Sequence, residues 1–273
     1  MQATGLARQA IRAPAAAARA RRRDFRRRLP ALMAAFGVLF LWYLIVDVGG
    51  VPEYIAPTPF AVLKTFGTHG NVLLMNFWPT LLEAVSGFFL GNVVAILIAI
   101  WFVHSPRAED AFYPLAVFIQ TIPIIAVAPI LVLLLGNGYA PKIAIAALIS
   151  FFPTLVNMVR GLKAVNPQTL ELMRVLSASK SEVFWKVRLQ SSLPFLFAAL
   201  KIASTTSVIG AIVAEWIGSA FGIGALIIEA TYNFRSPLLY ATVFVGAGLA
   251  VAMFSIVSVV EKKVIRWKAD SVH

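Results

Sequence analysis

Cysteine and charged residues are what this sequence has least of. Its 273 residues include no cysteine, and 13% of them are charged, against roughly 25% in soluble domains. Without cysteine there is no disulfide framework, no thiolate metal site and no cysteine nucleophile. The shortage of charge leaves too little polar surface to cover a soluble domain, so a soluble enzyme is nearly excluded.

Histidines and nucleotide-binding motifs are scarce as well. The three histidines, His69, His104 and His273, have no carboxylate partners at ligand spacing, which argues against a metal site. No Gly-x-x-x-x-Gly-Lys-Ser/Thr occurs, so any nucleotide must be bound by another chain. A small integral membrane enzyme would need clustered polar groups at membrane depth. None is found, and no catalytic residue, metal ligand or resident cofactor is predicted.

Apolar stretches are abundant. A bilayer core of about 30 Å needs roughly 20 mostly apolar helical residues to cross it. Six stretches fit, and none has the alternation of a barrel strand; they cover residues 29–48, 80–103, 111–135, 143–159, 195–215 and 238–260. The sequence predicts an all-α integral membrane protein with six transmembrane helices.

Basic residues are divided unevenly between the two sides of these spans. The formal net charge of +12 would suggest a nucleic-acid partner in a soluble protein. If both termini are cytoplasmic, however, 20 of the 24 Lys and Arg residues lie inside and three outside, as is typical of membrane proteins. We therefore expect cytoplasmic termini and no nucleic-acid partner.

Three regions follow from this topology. The Ala, Arg and Pro bias of residues 1–28 predicts a disordered basic cytoplasmic tail near anionic lipid headgroups. Arg22 and Arg23 resemble a twin-arginine signal, but the five further spans argue against a cleaved leader. A transmembrane domain is predicted over 29–266 and a short cytoplasmic tail over 267–273.

The long cytoplasmic loop, residues 160–193, carries helix signals. Asn166 before Pro167 is typical of a helix start, and this helix should end near Ser177. Ser179 and Glu182 have the spacing of a Ser-x-x-Glu capping box, which predicts the start of a second helix. Both helices have apolar faces, which either pack on the chain's own transmembrane ends or dock into a groove of a soluble partner.

Glu171, with Ser177 six residues later and then Val187 and Leu189, forms a pattern that resembles the coupling segment of ABC importer permeases of the binding-protein-dependent class. That family has Glu-Ala-Ala at the start of the motif and glycine at the position of Ser177. From residue 78 onward the chain is similar to the nitrate, sulfonate, taurine and pyrimidine-precursor branch. The supporting segments are 120–123, 128–129, 136–142 and 210–218.

The resemblance implies the type I ABC importer permease fold and a homodimer in the bacterial plasma (inner) membrane. It also implies a pair of cytoplasmic ATPases, which bind the ATP, and an extracytoplasmic solute-binding protein. Seven residues are expected to take part in ATPase coupling, and they are Glu171, Arg174, Ser177, Ala178, Ser179, Val187 and Leu189.

Polar groups inside spans are costly and therefore candidate functional residues. Glu83 and Glu215 are expected near the outer ends of their spans, where they are either solvated or structurally hydrogen-bonded, or else line an outer vestibule and contact substrate. Gln120 and Thr121 are predicted on a central substrate pathway because nearby prolines free backbone carbonyls there, although helix packing alone also explains the prolines.

The glycine-broken region around 225–230 is too short to span the membrane. It fits either a re-entrant or surface helix on the outer face, where a solute-binding protein docks, or a structural outer loop. The segments that begin at Phe184, Lys201 and Glu215 look more like members assigned to thiamine-pyrimidine precursors or riboflavin-like heterocycles. We expect a permease subunit that moves such a small polar solute inward by alternating access. The alternatives are the same role for nitrate, sulfonate or taurine, and a small integral membrane enzyme.

Overall fold

The computed structural model describes residues 29–30 and 33–265, and it is helical with no strand in these ranges. The predicted tails, 1–28 and 267–273, lie outside the described residues. The chain divides into two units between Lys64 and Thr65. The helices are α1 (Met33–Val48), α2 (Pro59–Thr68), α3 (Gly70–His104), α4 (Pro106–Thr121), α5 (Ile124–Leu135), α6 (Tyr139–Lys163), α7 (Pro167–Val175), α8 (Lys180–Glu215), α9 (Ile223–Tyr232) and α10 (Ser236–Val264).

The all-helical membrane fold is confirmed, but the count of six spans is not. Within the described ranges, four helices are long and apolar enough to cross a bilayer by themselves: α3, α6, α8 and α10. The pair α4 and α5 makes a fifth if it is counted as one broken span. The first predicted span corresponds to α1, a shorter apolar helix.

The third predicted span is broken in its middle. Residues 111–135 were expected to form one helix, whereas α4 and α5 meet at an angle of 100°. Ile122 has the extended angles φ −73° and ψ 123°, because the ring of the following Pro123 disfavours helical geometry in the residue before it. Pro114 and Pro129 lie inside α4 and α5 without ending them.

Helices α3, α6 and α8 pack closely because small residues face one another. A Cβ atom on Gly91 of α3 would lie 2.3 Å from the carbonyl oxygen of Ala147 in α6. One apolar cluster joins α3, α6 and α8 to α9 and α10 around Phe88 and Ile223. A second surrounds Phe102 and Phe184, at the end of α3 that is followed by α4. This framework holds the start and the end of α8 in fixed environments.

Candidate functional site

The loop that resembles a coupling segment contains the two predicted helices. The Asn166 side chain accepts a hydrogen bond of 2.9 Å from the backbone N–H of Gln168, and Pro167 is the first residue of α7. This confirms the predicted start. None of the nine residues of α7 is buried. Leu170 and Met173 are half-buried, and the other seven residues of the helix are exposed.

The end of α7 is closed by a Schellman motif. The N–H of Ala178 donates to the carbonyl of Met173 and the N–H of Ser177 donates to the carbonyl of Arg174, both at 2.9 Å. Ser177 has a φ of +52°. Glycine is favoured at this position of the motif because it takes left-handed angles without Cβ strain. The backbone thus explains why the family motif has glycine here.

The start of α8 is the predicted capping box. Ser179 Oγ accepts from the N–H of Glu182 at 3.2 Å, and Glu182 Oε2 accepts from the N–H of Ser179 at 3.0 Å. Lys186 lies one turn further and pairs with Glu182 Oε1 at 3.0 Å. A π-helical turn over Phe184–Arg188 then leads into the long part of α8. The capping prediction is confirmed.

The coupling loop is attached to the membrane helices at a few points. Phe184 is buried, and its ring centroid lies 5.1 Å from that of His104 at the end of α3. Arg188 donates to the carbonyl of Leu162 at 3.1 Å. Val187 and Leu189, both expected to couple, are half-buried in the same region. A displacement of the loop would therefore act directly on the ends of α3 and α6.

Two large apolar side chains of α7 and that of its C-cap residue form an exposed face. We call it the coupling surface, and it consists of Leu172, Val175 and Leu176. Their spacing of three and four residues puts them on one side of the helix. They are 57%, 81% and 66% exposed. Glu171 and Arg174 are exposed on the same helix. Burying one such side chain yields about 1.5–3 kcal/mol, so this surface is suited to binding another protein.

A cavity of about 700 Å³ lies along α3, α4, α5 and α6, at the break between α4 and α5. Gln120 and Thr121 both line it, and Thr121 Oγ1 donates to the carbonyl of Phe118 at 2.7 Å. Most of the wall is apolar and aromatic, and none of the lining residues is charged. The aromatic members are Trp101, Phe102, Phe112, Phe151 and Phe152.

Glu83 and Glu215 do not line this cavity. Glu83 is 0% exposed and Glu215 is 1% exposed. Lys142 Nζ lies 3.3 Å from Glu83 Oε1 and donates to Ser219 Oγ at 2.7 Å. Glu215 Oε1 accepts from Thr80 Oγ1 at 2.6 Å. We call Thr80, Glu83, Lys142 and Glu215 the buried acid cluster. Neither carboxyl group is solvated in this conformation, and only that of Glu215 accepts hydrogen bonds.

The buried acid cluster fixes the start of α9. The N–H of Gly224 donates to Glu215 Oε2 at 2.6 Å, and the N–H of Ile223 donates to Thr80 Oγ1 at 2.8 Å. Gly222 has a φ of +122°, and a Cβ atom there would lie 2.0 Å from Glu215 Oε1. The ten residues of α9 are too few to cross a bilayer.

Two members of buried or partly buried ion pairs escaped the sequence reasoning. Lys142 lies in the first turn of α6, which begins at Tyr139, and pairs with Glu83 of α3. Lys201 of α8 pairs with Glu261 of α10. Their partners are distant in sequence, so no local signal could have found either pair. Among the described residues, no group of three or more His, Asp or Glu side chains is arranged to hold a metal ion.

The model of the family described as binding-protein-dependent transport system inner membrane component matches residues 91–266. The formylaminopyrimidine transport permease protein ThiX of Halalkalibacterium halodurans is 33% identical over 232 residues, 85% of this chain and 92% of that protein. The riboflavin transport system permease protein RibX of Chloroflexus aurantiacus is 29% identical, covering 85% and 88%.

A third relative, SsuC of Bacillus subtilis, is named as a permease for aliphatic sulfonates. It is 28% identical over a region that covers 88% of this chain and 86% of SsuC. Among solved structures, the methionine ABC transporter MetNI in inward facing conformations matches with a TM-score of 0.60 at 18% identity. It covers 71% of this chain and 95% of the matched chain. The type I importer fold is thereby confirmed. The relatives are transport permeases, which excludes the alternative of a membrane enzyme.

The chain therefore belongs to the family of binding-protein-dependent transport system inner membrane components, as the multi-pass permease subunit of an ABC importer that depends on a separate ATPase.

Proposed function

We propose that this permease works as a homodimer that moves a small polar heterocycle inward by alternating access, with both termini in the cytoplasm. The observation that carries the coupling part of this proposal is the exposed coupling surface on α7. No residue of α7 is fully buried, and only Leu170 and Met173 are half-buried among the described residues. An ATPase groove that covers Leu172, Val175 and Leu176 would supply the missing packing.

Seven residues contribute to coupling in this proposal. Glu171 and Arg174 provide polar contacts beside the coupling surface. The turn formed by Ser177, Ala178 and Ser179 sets the angle between α7 and α8. Val187 and Leu189 pass the movement into α8, since both are half-buried and Leu189 packs in the cluster at the ends of α3 and α6.

Co-purification with the ATPase tests the coupling role. Val175→Asp places a charge on the most exposed member of the coupling surface, and we expect at least a tenfold loss of bound ATPase, about 1.4 kcal/mol. Glu171→Ala should reduce uptake. Thr231→Asp is the matched control, because Thr231 is exposed on α9, beyond the opposite end of α8. If Val175→Asp retains the ATPase as well as Thr231→Asp does, α7 is not the docking helix.

The cavity at the break between α4 and α5 is our candidate for the substrate pathway. Its aromatic walls suit stacking on a flat heterocycle, and Gln120 and Thr121 supply hydrogen-bonding groups. An anionic substrate would be expected to meet a basic group, and the lining has none. Together with the relatives named for formylaminopyrimidine and riboflavin, this favours a thiamine-pyrimidine precursor or a riboflavin-like molecule.

Nitrate, sulfonate or taurine is the second candidate substrate class, because SsuC is named for aliphatic sulfonates. Uptake into vesicles that contain the reconstituted transporter separates the two, with formylaminopyrimidine, riboflavin and taurine as the probes. We expect uptake of a heterocycle, and a KM raised about tenfold or more by Gln120→Ala, as the loss of one good polar contact gives. Leu133→Ala, outside the cavity, is the control. Uptake of taurine alone would contradict the heterocycle proposal.

The outer face is assigned to α9 and the residues after it. Tyr232, the last residue of α9, and Phe234, two residues later, are 78% and 71% exposed, and we propose that an extracytoplasmic solute-binding protein docks there. Crosslinking of a cysteine at Tyr232 to the binding protein tests this. The chain has no other cysteine, so a product formed equally well by a cysteine at Val175 would argue against it.

A further inference from the structure

The buried acid cluster contains two carboxyl groups and one ammonium group. Glu83 and Glu215 are both acidic, and among the described residues Lys142 is the only cation that faces them. If both carboxyl groups were ionised, a net charge of −1 would be enclosed where neither side chain is more than 1% exposed. An uncompensated buried charge is among the costliest features a fold can contain.

The two carboxyl groups have different hydrogen-bond partners. Glu215 accepts two hydrogen bonds of 2.6 Å, from Thr80 Oγ1 and from the N–H of Gly224. It also lies at the N-terminus of α9, where the helix dipole favours negative charge. Neither oxygen of Glu83 accepts a hydrogen bond, although Lys142 Nζ lies 3.3 Å from Oε1. The hydrogen bonds to Glu215 therefore stabilise its ionised form, whereas no hydrogen bond stabilises an ionised Glu83.

We propose that the pair Glu83 and Glu215 binds one proton, which Glu83 carries and donates to Glu215. The proton comes from water, and it brings the cluster of two carboxyl groups and one ammonium to zero net charge. A carboxylate oxygen has two lone pairs, so Glu215 can accept this third bond beside the two it already has. The buried acid cluster thus acts as a proton-holding clamp that fastens the start of α9 to α3, α6 and α8.

The clamp predicts unequal effects for two conservative substitutions. Glu83→Gln replaces the O–H donor by an N–H donor and leaves Lys142 and Glu215 balanced, so the melting temperature should change by no more than about 2 °C. Glu215→Gln replaces one of the two accepting carboxylate oxygens by an NH₂ group, which cannot accept a hydrogen bond. At least one of the two donors, Thr80 Oγ1 or the N–H of Gly224, is then left without an acceptor. We expect its melting temperature to fall by about 4–10 °C. Glu229→Gln, an exposed glutamate on α9, is the matched control.

Infrared spectroscopy of the full chain in lipid nanodiscs detects the proton itself. At neutral pH the wild type should show a carbonyl stretch of a protonated carboxylic acid that shifts in D₂O. The band should be lost in Glu83→Gln and kept in Glu229→Gln. Absence of the band in the wild type, or its persistence in Glu83→Gln, overturns the proposal. A sodium ion could balance the cluster in place of the proton. In that case the band would be absent and the melting temperature would rise when choline is replaced by Na⁺, and this result also overturns the proposal.

Discussion

Replacing Ser177 by glycine should stabilise the end of α7. Ser177 has a φ of +52°, and left-handed angles cost an L-residue about 1–2 kcal/mol. Glycine avoids this cost but loses about 0.5–1 kcal/mol more than other residues through backbone entropy. The net gain is about 0.5–1 kcal/mol, which corresponds to a two- to fivefold change in an opening equilibrium.

The backbone N–H of Ala178 reports this change, because it donates to the carbonyl of Met173 at 2.9 Å to close the Schellman motif. Exchange of such an amide is governed by local opening of the helix end. Hydrogen exchange of the full chain in nanodiscs should therefore show the Ala178 amide protected about two- to fivefold more strongly in Ser177→Gly than in the wild type. Binding of the ATPase should be at least as strong as in the wild type.

Ser181→Gly is the control for this experiment, since it is the same replacement in the first turn of α8, where the backbone is helical. Glycine is unfavourable there by about 0.5 kcal/mol, so protection at the start of α8 should fall. If Ser177→Gly lowers protection as Ser181→Gly does, then the left-handed angle of Ser177 is not a source of strain and the reasoning is refuted.

Two further predictions concern packing and an ion pair. Gly222→Ala should lower the melting temperature by about 6 °C or more, or prevent folding, because of its positive φ and the 2.0 Å approach to Glu215 Oε1. Gly248→Ala, whose Cβ meets nothing within 4 Å, should change it by no more than about 2 °C, and equal effects would contradict the clash. Lys201→Met should cost about 1 kcal/mol by leaving Glu261 without its partner, and Glu261→Gln in the same chain should recover most of that. A double variant that melts no higher than Lys201→Met would show that the unpaired carboxylate of Glu261 is not what destabilises Lys201→Met.

Local signals in the sequence predict local structure well in this chain. Asn166 and the Ser179 and Glu182 pair were identified from side-chain chemistry within three residues, and each makes the expected hydrogen bond. Capping depends on neighbours along the chain, so the sequence contains all of the information. The same holds for the helical fold, because a long apolar stretch in lipid can satisfy its backbone only within a helix or a closed barrel.

Breaks and buried pairs were harder to predict. Pro114, Pro123 and Pro129 look alike in the sequence, but only Pro123 ends a helix. Which proline breaks a span depends on whether neighbouring helices replace the lost hydrogen bonds. Likewise, Lys142 lies 59 positions from Glu83 in the chain. Its pairing is a property of how α3 and α6 pack, and no periodicity within either helix contains it.

The bare α7 has a consequence for the life of the protein before the transporter is complete. If α7 docks the ATPase as proposed, a newly inserted copy that has not met its ATPase leaves Val175, 81% exposed, uncovered together with two further large apolar side chains. Exposed apolar patches of this kind attract chaperones and invite aggregation. We therefore expect copies without an ATPase to be degraded faster than assembled ones, because the exposed apolar residues of α7 distinguish an unassembled permease from a complete transporter.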